Sequence, residues 1–194
     1  MMKINRLKVT MFLSMLLLFA GLNGCQSVPL AADTPIQAPL TSARPPDYPP
    51  WVNPPPGTDF TPMEPTKLFD NFYYVGTKSV GSFIIDTADG LIMIDNGWSE
   101  KDCALMVDDM KKLGLNPANI KLILLSHEHI DHYGGTQYLK SKISPNAKVA
   151  LNRVGWDYLR TRPIEGAYDN PRPKSIDMFL TDGQTIALGN TTVR

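Results

Sequence analysis

Ser126-His127-Glu128-His129-Ile130-Asp131-His132-Tyr133-Gly134-Gly135 holds all three histidines of this 194-residue chain and sets them beside a carboxylate at metal-ligand spacing. Ahead of it, Leu122-Ile123-Leu124-Leu125 is a short apolar run suited to a buried strand, so the histidines sit at a strand end. In extended backbone alternate side chains point the same way, which lets His127 and His129 converge on one ion. Asp131 and His132 lie past the bend and face a second ion more easily than the first. Neutral imidazole with carboxylate suits Zn²⁺, with Fe or Mn less favoured by so many nitrogens. Two ions roughly 3.5–4 Å apart can share a water, lower its pKa toward about 7 and polarise a substrate carbonyl. Gly134 and Gly135 permit a sharp turn before Thr136 to Lys142, which reads as a short helix. A single histidine is ordinarily a packing or surface residue; three with an aspartate in six positions are not explained that way.

Working outward, Phe72 to Val75, Ser82 to Thr87 and Leu91 to Asp95 read as consecutive strands, the last two joined by an Asp89-Gly90 turn. Ser99 is a candidate N-cap with Asp102 at the third helical position, and Gly114 with Pro117 ends that helix. Cys103, Met106, Val107, Met110 and Leu113 share one face, opposite Lys101, Asp108, Asp109, Lys111 and Lys112. Cys103 therefore reads as a buried apolar residue rather than a thiolate ligand. After the motif, Lys148 to Asn152 reads as a strand, Val154 to Arg160 as a short helical turn and Thr161 to Ser175 as a loop. Met178 to Leu180, Gln184 to Leu188 and Thr191 to Val193 read as strands joined by Asp182-Gly183 and Gly189-Asn190. Strands followed by covering helices make this an α/β chain.

The stretch Ser126 to Gly135 resembles the metallo-β-lactamase superfamily, whose hallmark is His-x-His-x-Asp-His. The resemblance spans about Pro65 to Arg194 and includes Lys67 to Gly76 and the run Leu91-Ile92-Met93-Ile94-Asp95-Asn96-Gly97. His132 directly after Asp131 makes it most similar to the third subclass, in which the second metal takes Asp-His and no cysteine. The resemblance implies the N-terminal part of an αββα sandwich and two Zn²⁺ ions. His127 and His129 would bind the first, Asp131 and His132 the second. A zinc-bound hydroxide would open a β-lactam amide in a small-molecule substrate, with Asp131 as the candidate catalytic residue, orienting the water or carrying its proton. Asp95 is similar to a family aspartate that supports the ligand loop, although a strand-end turn former is an equal reading. Tyr133 could reach substrate, but packing is the simpler role. Lactonases, thioesterases and other ester hydrolases share Asp-His, and a non-catalytic metal-binding lipoprotein is the alternative of another class. The family carries six metal-binding side chains, and two histidines expected in its second half do not occur among these residues. The chain therefore reads as an N-terminal portion that should hold zinc weakly.

The first third is not domain-like. Lys3, Arg6 and Lys8 precede an apolar run from Met11 to Ala20 and then Leu22-Asn23-Gly24-Cys25, the pattern of a signal peptide over residues 1–24. It is similar to a bacterial lipobox with Cys25 as the lipidated residue, which implies export and a periplasmic or outer-membrane-anchored lipoprotein; ordinary cleavage leaving a free Cys25 is the alternative. Residues 25–66 carry most of the prolines, favour polyproline II and read as a tether, leaving 67–194 as the domain. At about 3.1 Å per residue that tether could reach roughly 120 Å. The alternative is a segment that wraps the domain, which Trp51 and Phe60 favour. Lys and Arg balance Asp and Glu at 19 each, so nothing points to nucleic acid.

Overall fold

The structure, a computed structural model, describes residues 57–161 and 172–194. The signal peptide, Cys25, the tether as far as residue 56 and most of the loop after Thr161 lie outside the described residues.

Spatial and sequence order coincide in the main sheet, which runs β1 (Thr66–Phe69), β2 (Phe72–Gly76), β3 (Gly81–Thr87), β4 (Gly90–Ile94), β5 (Ile120–Leu124), β6 (Lys148–Asn152) and β7 (Met178–Leu180). The first four strands pair antiparallel through short turns. From β4 onward the pairing is parallel. Parallel neighbours require a crossover, and the helices supply it. A separate antiparallel hairpin, β8 (Ile186–Leu188) with β9 (Thr191–Val193), completes the strands.

Helix α1 (Glu100–Lys112) makes the β4-to-β5 crossover. Ser99 caps it as the sequence predicts, its hydroxyl accepting from the Asp102 amide at 3.3 Å and donating to the Asp102 carboxylate at 2.8 Å. Cys103, Met106, Val107 and Met110 are buried against Tyr73, Val75, Ile84, Met93 and Ile123 on one sheet face. Asp109, expected on the solvent face, is buried as well; Lys112 turns back to pair with its carboxylate at 2.7 Å. The opposite sheet face presents Ile85, Ile92, Leu122, Leu124 and Ala150, and Ile186, Leu188 and Val193 of the β8–β9 hairpin pack on it. Each sheet face thus has its own apolar layer, consistent with near-continuous hydrophobic runs in parallel strands.

Four local expectations change. Strand β1 is absent from the sequence reading because it lies at the sheet edge with all four residues exposed, so no alternation marks it. The Thr136–Lys142 helix begins as α3 (Thr136–Tyr138) but widens into a π turn over Leu139–Ile143, where the Ser144 amide reaches back to the Leu139 carbonyl at 2.7 Å. Helix α4 (Arg153–Thr161) is longer than predicted, capped by Asn152 Oδ1 on the Gly155 amide at 2.7 Å. Gln184 does not enter β8; its amide donates to the Thr181 carbonyl and its side chain accepts from the Thr181 amide, closing the turn at Gly183.

The segment before β1 lies along the β2–β3 turn. Backbone bonds join Ser79 to Asp59, Lys78 to Thr61 and Met63 to Gly76 at 2.9–3.1 Å, and Phe60 meets Trp98 edge-on at 6.4 Å. Residues 59–63 are thus bonded to the domain. Replacing Ser99 by alanine should lower stability to urea by about 1 kcal/mol, the usual cost of a lost N-cap, with the helix content of the folded state unchanged by circular dichroism.

Candidate metal centre

The parallel strands β4, β5 and β6 end at the same edge, and the loops that follow them meet there, the place where open α/β sheets build their sites. The chain leaves β4 at Asp95, whose amide still donates to the Leu124 carbonyl at 2.9 Å. Asp95 then takes a left-handed conformation with φ +59°, uncommon for a residue with a Cβ. That turn aims its carboxylate across to the end of β5. One oxygen accepts from the Ser126 amide at 2.8 Å; the other accepts from the Ser126 hydroxyl at 2.8 Å and meets His132 Nδ1 at 2.8 Å. Asp95 thus stands in the turn after β4 and hydrogen-bonds the histidine loop.

The network assigns the ring protons. An ionised Asp95 only accepts, so His132 Nδ1 donates to it and Nε2 is the nitrogen left for another partner. The Ser126 hydroxyl spends its proton on Asp95, so His127 Nδ1, 3.0 Å from that oxygen, donates to it and likewise exposes Nε2. His132 belongs to the short helix α2 (Ile130–Tyr133), with His129 at its N-cap position. The His127 ring lies 4.6 Å from the His129 ring and 3.8 Å from the His132 ring, centroid to centroid. Asp131 Oδ2 stands 3.3 Å from His132 Nε2.

These contacts govern protonation. For His132, burial alone would lower the pKa, but the hydrogen bonds to Asp131 and Asp95 outweigh it and raise it from 6.5 to about 9. For Asp131, burial pushes upward, and the His132 hydrogen bond and charge pull the carboxyl below its usual range. Burial, then the neighbouring His132 and His129, lowers the His127 pKa.

A zinc ion fits the Asp131–His132 pair. Donors held about 2.0–2.1 Å from a tetrahedral zinc stand roughly 3.3–3.4 Å apart, the separation seen between Asp131 Oδ2 and His132 Nε2. A proton or a metal cation is what two facing lone pairs require. Among the described residues no group of three or more His, Cys, Asp or Glu side chains is arranged to hold a metal ion. The sequence thus supplies the pair and its brace, and His127 and His129 stand beside it. Tyr133 is fully buried in the helix-side core and serves packing. Cys103 is buried too, and burial followed by the nearby Asp102 and Glu100 charges raises its thiol pKa, so it stays protonated. Sequence reasoning missed the bridging role of Ser126 and the part of Asn96, whose side chain meets Gly135 and Thr136.

A family model of the metallo-β-lactamase superfamily matches residues 75–189, more than half the chain, including Asp95 and the whole histidine stretch. The chain belongs to the metallo-β-lactamase superfamily. Among solved structures, it is similar to BJP-1, a subclass B3 metallo-β-lactamase of Bradyrhizobium japonicum, at 33% identity and TM-score 0.60, covering 69% of this chain and 51% of that one. GOB-18, a metallo-β-lactamase from Elizabethkingia meningoseptica, matches at 32% identity and TM-score 0.61, with 71% of this chain and 52% of that one covered. A β-lactamase from Chitinophaga pinensis matches at 29% identity and TM-score 0.60, with 68% and 51% covered. The chain spans about half the length of these proteins. The expected fold and the likeness to the third subclass are both confirmed.

Two outcomes follow for this metallo-β-lactamase-fold chain. The raised His132 pKa means its contribution to zinc-free stability is fully present below about pH 6.5 and is lost as pH rises through about 9. Urea midpoints of the zinc-free chain should therefore fall more between those pH values than in His132→Gln. Gly134 has helical φ, yet a Cβ there would overlap the Trp98 carbonyl backbone. Gly134→Ala should cost more than about 3 kcal/mol in the same titration, and recovery of wild-type stability would show that the loops part freely.

Proposed function

We propose that the whole protein is a zinc-dependent hydrolase of the metallo-β-lactamase fold that opens the amide of β-lactams. The observation that carries this is the anchored pair: His132 is held on one nitrogen by Asp95 while its other nitrogen faces Asp131 at 3.3 Å. Support for the substrate class comes from the β-lactamases to which the chain is similar. His127 and His129 would hold one zinc and Asp131 and His132 a second. When bound, the ions would lower the pKa of a water and polarise a carbonyl.

The chain's own residues prepare the rest. Asp95 and Ser126 fix the tautomers of His127 and His132, so both rings arrive with Nε2 unprotonated whenever a cation replaces the proton. Asp131, kept ionised by His132, can accept a proton at its carboxylate and return it to the amide nitrogen. In that reaction water adds to the carbonyl carbon, the C–N bond breaks, and the nitrogen leaves with the proton.

The test uses the longest product of the reading frame. Hydrolysis of a chromogenic cephalosporin should disappear with chelator, return with zinc, and fall about 10²-fold or more in Asp131→Asn. A folded, zinc-loaded protein that ignores β-lactams but cleaves lactones or thioesters would replace the substrate class. One that binds zinc and hydrolyses none of these would favour a metal-binding role.

We also propose that the protein is exported and held at a membrane through acylated Cys25, on the strength of the basic, apolar and small-residue order of residues 3–25. Expressed in a Gram-negative bacterium, the wild type should fractionate with membranes and Cys25→Ser should not. An unmodified mature mass would overturn this.

A further inference from the structure

Asn96 follows the left-handed Asp95 and is wholly buried. Its backbone amide and both polar atoms of its side chain reach the segment that carries Asp131 and His132. The backbone amide donates to the His132 carbonyl at 2.9 Å. Oδ1 accepts from the Gly135 amide at 2.8 Å, and Nδ2 donates to Thr136 Oγ1 at 2.9 Å. The next residue extends the seam, the Gly97 carbonyl accepting from the Gly134 amide at 2.8 Å. The two segments lie in backbone contact: a Cβ on Gly135 would overlap the Asn96 carbonyl and Cys103.

Asp95 and Asn96 therefore hold His132 at opposite ends. Asp95 fixes the ring through Nδ1, and Asn96 fixes the backbone from which the ring is hung. A ring held only at its tip could still swing about the Cα. With both ends tied, the position of Nε2 is determined. A buried amide is stable only when its donors and acceptors are matched, and these partners all belong to the turn after His132. The Asn96 side-chain bonds go to Gly135 and Thr136, on the His132 side of the centre.

We infer that Asn96, through Thr136 and Gly135, is a positioning residue for the Asp131–His132 half of the metal centre and leaves the His127–His129 half alone. The inference rests on the zinc reading above and adds to it a division of labour between the two halves.

The three imidazoles of the chain are all in the site, so ¹⁵N-histidine spectra of the 194-residue chain report on nothing else. Zinc is titrated to millimolar levels while each ring is followed separately. In Asn96→Ala the His132 response should require about 10-fold or more additional zinc, the usual penalty for losing a partner behind a ligand. His127 and His129 midpoints should stay within about twofold. Thr136→Val should shift His132 in the same direction and Thr136→Ser should restore it, a pair that decides the matter if Asn96→Ala does not fold. A purely structural role would move all three midpoints together or none, and either result overturns the inference. A second readout needs no metal: the His132 Nδ1 proton, sheltered on Asp95, should exchange slowly in the wild type and fast in Thr136→Val. If no wild-type imidazole responds to zinc, the zinc reading fails, and this exchange measurement decides whether Asn96 positions His132.

Discussion

A single carboxylate organises this edge of the molecule. Asp95 stands where β4 ends, and its left-handed backbone turns the side chain sideways across the sheet edge instead of along it. From there it collects the Ser126 amide, the Ser126 hydroxyl and the His132 ring. Three hydrogen bonds on one side chain tie the end of β4 to the loop after β5. Without Asp95, the Ser126 amide and hydroxyl and the His132 ring would lose their shared acceptor.

The sheet explains why such a carboxylate can meet such a loop. Met93 lies opposite Ile123 and Ile94 opposite Leu124 in parallel register, so Asp95 and Leu125 emerge side by side. Leu125 stays bonded to Ala150 of β6 before the chain turns away. The apolar layer beneath, with Met93, Met106, Ile123 and Tyr133 all fully buried, makes the platform rigid. Burying both faces of the central strands supplies most of the driving force for this arrangement.

Much of this was legible from residue types. The histidine stretch, the strand before it, the α1 face and the Ser99 cap are local patterns with a strong period or a required side chain. What escaped was written in geometry that residue types do not encode. Strand β1 has no buried face, so its Thr66-Lys67-Leu68-Phe69 run gives no alternation. Asp109 is buried while its ion-pair partner Lys112 stays exposed, where helical periodicity assigns both to solvent. The π turn at Leu139–Ile143 is a change of hydrogen-bond partner, not of composition. The reach of Ser126 to two histidines depends on the φ of a residue 31 positions earlier in the chain. Asn96 carried a hint, a polar side chain directly after a strand-end aspartate, but its partners lie 39 and 40 residues away.

The docking of residues 59–63 has a mechanical side. The segment pairs antiparallel with the β2–β3 turn, Pro62 opposite Thr77, so a force that lifts residue 59 away from the turn loads its bonds one after another rather than all at once. Asp59 with Ser79 and Lys78 would yield first, then Thr61 with Lys78, then Met63 with Gly76. Bonds opened singly resist far less force than a strand sheared from a sheet. Phe60 against Trp98 lies within this ladder of single bonds, and the ladder shares no hydrogen bond with the network of Asp95, Ser126 and His132 at the histidine edge.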